Sequence, residues 1–421
     1  MSDVSAAPIV IVGGGIGGLA TALSLASRGR RVHVLERAPA FEEIGAGIQL
    51  APNALRVLNA LGVLGPALRE AVRPVRGALM DALTGDLLME IDFGEQFQAT
   101  YDAPYVVTHR SDLLAALLSE CVASDLVTLE NSRCVSRVED RGADVLITCE
   151  DGTRYSAALV IGADGLRSTC REYVLGDGPP VCRGDVAYRG AVPIALARHV
   201  SEKPSVTWWI GPKMHLIQYP VRGGSLFNQV GVFTSDAYHP GVDPESDQWG
   251  TPQELDATFC DLDERVRASA ALLNRERRWA LFDRPPASSW TRGRVTLVGD
   301  AAHPMLQYLA QGACQALEDA MAIGACLADP DVDVADALAR YEQIRLPRAG
   351  QAQTWARRVG DIVHGDGVLA ILRNELLRQV KPDDFRFVDW LYRQHDETPG
   401  LAIGSNGNDG SQPAIGNRRR R

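Results

Sequence analysis

Four groups of residues in this 421-residue chain have types and spacings that could carry chemistry. The first is Gly13-Gly14-Gly15-Ile16-Gly17-Gly18, in which Gly13, Gly15 and Gly18 form a Gly-x-Gly-x-x-Gly pattern. Such glycines permit a tight turn and let the backbone approach a pyrophosphate, while a following helix offers free N–H groups and the positive end of its dipole. Glu36, further along, is placed to accept hydrogen bonds from ribose hydroxyls. Its charge opposes a 2′-phosphate, which favours FAD or NAD over NADP. The second and third groups are Gly162-Ala163-Asp164-Gly165 and Gly299-Asp300-Ala301-Ala302-His303-Pro304. Each aspartate follows a short apolar run, at the strand end where α/β sheets bind ligands; taken singly, each could equally cap a helix. The fourth is His215-Leu216-Ile217-Gln218-Tyr219. In a strand His215, Ile217 and Tyr219 share a face, offering an imidazole, an apolar wall and a phenol to one small ligand. His215 could also be a satisfied sheet histidine, and His303 a structural residue on the cofactor side. Gln307 precedes Gly312, the start of a predicted helix, where a polar side chain can reach a ligand. Tyr105 suits either an ordinary strand or a ligand contact.

These groups need elements to hold them. Residues 8–12 are a β-branched run typical of a strand buried on both faces. Residues 19–27 read as a helix stopped at Gly29, and residues 31–35 as a second strand ending in Glu36, which together make a βαβ unit. Residues 111–124 read as a helix with Ser111 as N-cap and Leu113, Leu114, Leu117, Leu118 and Cys121 on one face. Residues 159–162 and 295–298 are further buried strands, the second leading to a helix over 312–327. From about 181 to 283 the runs at 187–192, 206–210, 215–219 and 229–233 alternate between Gly/Pro turns, which predicts an antiparallel sheet. Helical sequence covers 334–381, with breaks expected near Pro347 and at Gly365-Asp366-Gly367.

Composition narrows the function classes. Hydrophobic residues make up 46% and charged residues 23%, enough to bury a core without staples. Acidic residues outnumber basic ones by 53 to 43, which excludes the basic footprint of a general nucleic-acid binder. The eight cysteines contain no Cys-x-x-Cys pair and no zinc-like Cys/His spacing, so no metal is expected and the thiols are read as reduced. Residues 6–26 are apolar, but no basic residue precedes them and five glycines interrupt them. That argues against a signal peptide or a membrane span, and a cytoplasmic protein is expected. The Gly/Asn/Ser-rich stretch 400–421, ending in four arginines, reads as a disordered tail.

The glycine fingerprint with Glu36, the Asp164-Gly165 motif and the Gly299-Asp300 motif, in this order, resemble those of the single-component FAD-dependent aromatic hydroxylases, the class A flavoprotein monooxygenases. The resemblance extends from about residue 8 to 395. It implies an α/β fold: a Rossmann-like FAD-binding domain, an inserted and mainly antiparallel β-sheet substrate domain, and a C-terminal helical segment, as in para-hydroxybenzoate hydroxylase. The implied division gives 1–77, 105–180 and 285–345 to the FAD-binding domain, 78–104 and 181–284 to the substrate domain, 346–399 to the helical segment and 400–421 to the tail. By the same resemblance Gly13, Gly15, Gly18, Glu36, Arg37, Gln49, Arg110, Asp164, Asp300 and Gly312 would bind FAD, with Glu36 at the adenosine ribose, Arg110 along the FAD chain and Asp300 at the ribityl region. NADH would be a co-substrate without a Rossmann domain of its own, consistent with the lack of a second glycine fingerprint. A homodimer is a further expectation of the resemblance.

Many members carry x-x-Pro-x-x-x-x-Gly after Gly-Asp-Ala-Ala-His-Pro; here Gln307 replaces that proline. With residues 215–220 and 105–110, this departure looks most like the members that hydroxylate 3-hydroxybenzoate para to its hydroxyl, using O2 through a flavin C4a-hydroperoxide, to give 2,5-dihydroxybenzoate. That reading makes His215 a general base or proton relay and has Gln307 orient the ring hydroxyl. Tyr105, Tyr219 and Ile217 would bind the substrate, the two tyrosines at its carboxylate. Decarboxylating hydroxylation of salicylate to catechol, or attack on another hydroxylated aromatic acid, is the alternative.

Overall fold

The computed structural model describes residues 8–42, 46–197 and 204–393; the expected tail at 400–421 lies outside the described residues. Short β-branched runs with no polar side chain are stable only as strands covered on both faces. Ile9–Val12 and Leu159–Gly162 are such runs, buried at every residue. They lie side by side at the centre of a six-stranded sheet with the order Thr291–Arg292, Val295–Leu297, Leu159–Gly162, Ile9–Val12, Val32–Leu35, Val127–Glu130. All neighbours are parallel except the first pair. Val12 stands opposite both Gly162 and Leu35, and Gly162 opposite Leu297. Because parallel strands end at the same edge, Gly13, Glu36, Asp164 and Asp300 all emerge there.

Helix Ile16–Ala26 packs on helix Gly312–Cys326 through small residues. A Cβ on Gly324 would stand 2.1 Å from Ser24 Oγ, so the two backbones approach closely only without one.

The alternating runs form the middle of a seven-stranded sheet, ordered Trp279–Asp283, Val181–Pro193, Leu226–Thr234, Met214–Val221, Ser205–Gly211, Arg76–Asp81, Leu87–Asp92. Every pairing is antiparallel except Ser205–Gly211 with Arg76–Asp81, which is parallel. Met214 and Leu216 bury into a cluster with Leu255, Phe259 and Val266 from the helices Pro252–Phe259 and Glu264–Ala270. That burial fixes the register, since a slip of one residue would exchange the faces. His215, Ile217 and Tyr219 are thereby turned to the other side, toward the six-stranded sheet.

Two local expectations are corrected. The helix expected to begin after Ser111 begins at Arg110, with His109 at the N-cap; Ser111 lies in the first turn and its hydroxyl bonds the His109 ring at 2.7 Å. Helix Val334–Val363 runs unbroken through Pro347 for 30 residues. Pro347 and Gln343 are exposed, so the carbonyl that loses its N–H partner lies on the solvent side of the helix, where the loss costs least. The break at Gly365 holds, and the shorter helices Gly367–Leu377 and Arg386–Tyr392 follow. Among the described residues no helix is long and apolar enough to cross a membrane, and no group of residues could hold a metal ion.

A buried network of charges locks these layers. Arg345, on the long helix, donates to Asp319 Oδ1 at 2.7 Å and Glu318 Oε2 at 2.5 Å. Arg348 donates to Glu318 at 2.6 and 2.8 Å, and Asn53, on helix Pro52–Ala60, at 2.6 Å. Asp319 Oδ2 accepts from Gly299 N at 2.9 Å and contacts His303 Nε2 at 2.5 Å. Burial alone would push Glu318 up; the two guanidiniums outweigh it and hold the carboxyl at about 2. A pKa lowered on folding adds stability above the ordinary carboxylate range, and that share is lost as pH falls toward about 2. Arg345→Met strips Asp319 Oδ1 of its guanidinium and leaves Glu318 with one guanidinium, Arg348, and should cost about 3–5 kcal/mol in denaturant unfolding. Its loss of stability on acidification should be shallower than in the wild type.

Candidate active site

The cofactor end of the site is built where the parallel strands stop. Gly13 adopts φ +109°, and a Cβ there would lie 2.3 Å from Ala163 O. A Cβ on Gly18 would lie 2.0 Å from Gly13 O. These two glycines let the turn fold onto the neighbouring strand. Gly15 differs: its φ of −75° suits any residue, and a Cβ there would point into open space. That space lies over the N-terminus of helix Ile16–Ala26, the position a pyrophosphate needs. Glu36 is fixed by the N–H groups of Gly14 at 2.6 Å and Ala38 at 2.8 Å. Arg37, Gln49, Arg110, Asp164, Asp300 and Gly312 line the same cavity of about 1030 Å³. Arg110 opens helix Arg110–Ala123, its N–H donating to Ala46 O at 2.9 Å. Asp300 is exposed to the cavity beside Gly312, the first residue of helix Gly312–Cys326. Asp164 also does the capping work its motif allowed, accepting from Ser168 Oγ and from Cys170 N. The strand-edge glycine cradle, a pinned ribose-side carboxylate and a second helix N-terminus suit a dinucleotide such as FAD.

The other end of the cavity is the open face of the seven-stranded sheet. One row paired across it, Arg189, Val230, Ile217, Trp208, Leu79 and Met89, lines the cavity. His215 lies one step along and is almost fully buried. Tyr219 and Tyr105 are brought together by Gln49, whose Oε1 accepts from Tyr105 Oη at 2.8 Å. Tyr105 stacks on Phe93 at 4.5 Å, and burial pushes both tyrosines up, so each remains a hydrogen-bond donor. Gly47 is required beside them, because a Cβ there would meet the Tyr219 ring at 2.4 Å. Gln307 lies on the short turn Gln307–Leu309 and lines the cavity, its Nε2 enclosed without a protein acceptor. Trp208 Nε1 is enclosed in the same state. Gln307 and Trp208 thus each carry a buried N–H without a protein acceptor on a side chain that lines the cavity.

His303, by contrast, is fully buried against Asp319 and acts structurally. Burial, and then the neighbouring His364, push His215 well below the usual imidazole range, so it is neutral at neutral pH. His364 contacts His215 Nδ1 at 2.8 Å. Sequence reasoning missed His364, Trp208, Tyr308 and Arg189, all near or in this cavity. Trp208 could have been found from its alternation within residues 206–210. His364 could not, because it lies 149 residues from the side chain it touches. Gly15→Val should leave the fold and melting temperature near wild type but block the pyrophosphate position. Flavin absorbance after gel filtration should fall, with affinity weakened about tenfold or more, roughly 1.4 kcal/mol.

Known proteins resemble this arrangement along nearly its whole length. A model of the FAD binding domain family matches residues 6–356. The chain is 39% identical over 388 residues to a 3-hydroxybenzoate 6-hydroxylase of Klebsiella oxytoca, covering 91% of this chain and 96% of that one. It is 37% identical over 385 residues to a 3-amino-4-hydroxybenzoate 2-monooxygenase of Streptomyces cremeus, covering 91% and 94%. Among solved structures, Klebsiella pneumoniae HpxO complexed with FAD and uric acid has a TM-score of 0.78 at 28% identity, covering 91% of this chain and 96% of that one. A salicylate hydroxylase substrate complex shares the fold with a TM-score of 0.78 at 24% identity, covering 94% and 97%. The chain belongs to the FAD binding domain family as an FAD-dependent aromatic monooxygenase.

Proposed function

We propose that the protein uses NADH and O2 to hydroxylate 3-hydroxybenzoate para to its hydroxyl, giving 2,5-dihydroxybenzoate. The observation that carries this reading is the shared cavity face of His215, Ile217 and Tyr219, with Gln307 facing the same space. The likeness to enzymes named for 3-hydroxybenzoate supports the substrate. Bound FAD would supply the reducing equivalents, received from NADH, that activate O2 for transfer of one oxygen atom to the ring. The chain's own residues would prepare that ring.

Tyr219, held protonated, donates to the carboxylate, with Tyr105, whose own proton goes to Gln49 Oε1, lining the same end and Arg189 as a nearby cation. Ile217, Val230 and Leu79 form the apolar wall that holds the ring and keeps water out. The enclosed Nε2 of Gln307 donates to the phenolic oxygen and turns its proton toward His215. His215, being neutral, accepts that proton. The phenolate then pushes electron density onto its ortho and para carbons, and the para carbon takes the oxygen. The N-terminus of helix Gly312–Cys326, where Gly312 lines the cavity, stabilises negative charge on the cofactor side.

Incubation of the holoenzyme with NADH and each monohydroxybenzoate, with chromatographic identification of products, tests this reading. It predicts 2,5-dihydroxybenzoate from 3-hydroxybenzoate; catechol and carbon dioxide from salicylate as the preferred reaction would overturn it. His215→Ala should lower hydroxylation by about 10²–10⁴. Gln307→Ala should divert NADH oxidation to hydrogen peroxide. Both variants should keep their FAD; wild-type rates and coupling in both would remove these residues from the reaction.

A further inference from the structure

His215 sits at one end of a continuous line of hydrogen-bonding groups that the reaction described above does not use. Its Nδ1 contacts His364 Nε2 at 2.8 Å. His364 Nδ1 stands 3.4 Å from Thr234 Oγ1, the longest link. Thr234 Oγ1 donates to Asp185 Oδ1 at 2.5 Å, and Tyr308 Oη donates to Asp185 Oδ2 at 3.3 Å. Asp185 and Thr234 are register partners on neighbouring strands, and His364 caps the long helix Val334–Val363. Three separate elements therefore converge on one line. Tyr308 packs on both imidazoles, 5.1 Å from His215 and 5.4 Å from His364.

The polarity of this line follows from its last member. Both oxygens of Asp185 accept from hydroxyls, so the carboxylate is the acceptor end. Thr234 has spent its only proton on Asp185 and must accept from His364, which fixes the His364 proton on Nδ1. His364 Nε2 is then bare and accepts from His215 Nδ1–H. His215 Nε2 is left as a lone pair, the state needed to take a proton from a ligand in the cavity. A histidine whose basicity is suppressed by burial holds a proton poorly, which makes an onward acceptor useful. His364 is itself pushed down to about 4, by burial and then by Arg373, whereas burial raises Asp185.

We propose that His364, Thr234 and Asp185 form a proton relay that fixes the tautomer of His215 and carries the substrate's phenolic proton from His215 to Asp185. The relay rests on the reading of this cavity as the site of a phenolic acid. One O–H bond breaks at the substrate and one forms at Asp185. Each imidazole and the threonine hydroxyl gains one proton and passes one on, so all three return neutral and no electrons move. Asp185 neighbours Arg183 and Asp361, whose side chains are 44% and 64% exposed, so the acceptor end of the relay lies next to the protein surface. The charged and titratable groups facing the relay are Tyr308, Arg373 behind His364, and Arg183 and Asp361 beside Asp185. His364, Thr234 and Asp185 are positioning residues, since they act through His215.

The test compares wild type, Thr234→Val, Thr234→Ser and His364→Gln as holoenzymes, without NADH, binding 3-hydroxy-4-nitrobenzoate, whose phenolate absorbs visible light. Thr234→Val keeps the shape and removes the hydroxyl; His364→Gln keeps the result falsifiable if Thr234→Val folds poorly. The relay predicts that the bound probe's ionisation shifts up by about one pH unit, tenfold in its constant, in Thr234→Val and His364→Gln, and returns toward wild type in Thr234→Ser. With FAD content unchanged, hydroxylation should fall about tenfold or more in the same two variants. Identical probe ionisation in all four proteins overturns the relay, even if 3-hydroxybenzoate is hydroxylated normally. The predicted ionisation pattern with no hydroxylation of any monohydroxybenzoate by the wild type would uphold the relay and overturn the substrate reading instead.

Discussion

The cluster of Glu318, Asp319, Arg345 and Arg348 is the constraint on which the site depends. Buried charges of this kind are tolerable only when every member is paired, and here each is. The pairing has a geometric consequence. Asp319 holds the Gly299 turn, and with it Asp300, against helix Gly312–Cys326. Arg345 and Arg348 tie that helix to the long helix Val334–Val363. Arg348 also donates to the carbonyls of Trp390 and Leu391 at 2.8 Å, anchoring the last helix beside Tyr105. The cofactor-side turn, the N-terminal helix dipole and the far helical cap therefore keep one mutual arrangement.

The long helix connects this cluster with the substrate end. Arg345 sits near its middle, and His364 at its C-terminal cap contacts His215 on the seven-stranded sheet. The turn that follows the Gly299 segment carries Gln307 and Tyr308, which reach the cavity and Asp185. Two sheets built for different purposes, one presenting strand ends and the other a flat face, are thus held on opposite sides of one cavity. A flavin and an aromatic substrate can meet there, and the chemistry requires that water be kept out because peroxide release competes with hydroxylation.

Much of this was legible in the sequence, for identifiable reasons. The β-branched runs around residues 8–12 and 159–162 have no alternative to a doubly covered strand, so the nucleotide-binding edge could be placed with its motifs. The alternation in residues 215–219 predicted the face shared by His215, Ile217 and Tyr219, and the cavity lining agrees. Local signals failed where longer-range packing decides. Ser111 has the chemistry of an N-cap, but the helix starts a residue earlier and the hydroxyl bonds His109. Pro347 has the chemistry of a break, but its exposed side lets the helix continue. The row from Arg189 to Met89 exists only through cross-strand register, and the contact between His215 and His364 only through the fold of the whole chain.

The central claim is that His215 and Gln307 receive the hydroxyl of a phenolic acid at the face opposite the nucleotide cradle. A crystal structure of the FAD-loaded enzyme with 3-hydroxybenzoate tests it most directly. The account predicts the phenolic oxygen within hydrogen-bond reach of His215 Nε2 and Gln307 Nε2, about 2.6–3.2 Å, and the carboxylate toward Tyr105 and Tyr219. A ring bound in the reverse sense, or one whose hydroxyl touches neither residue, would contradict it.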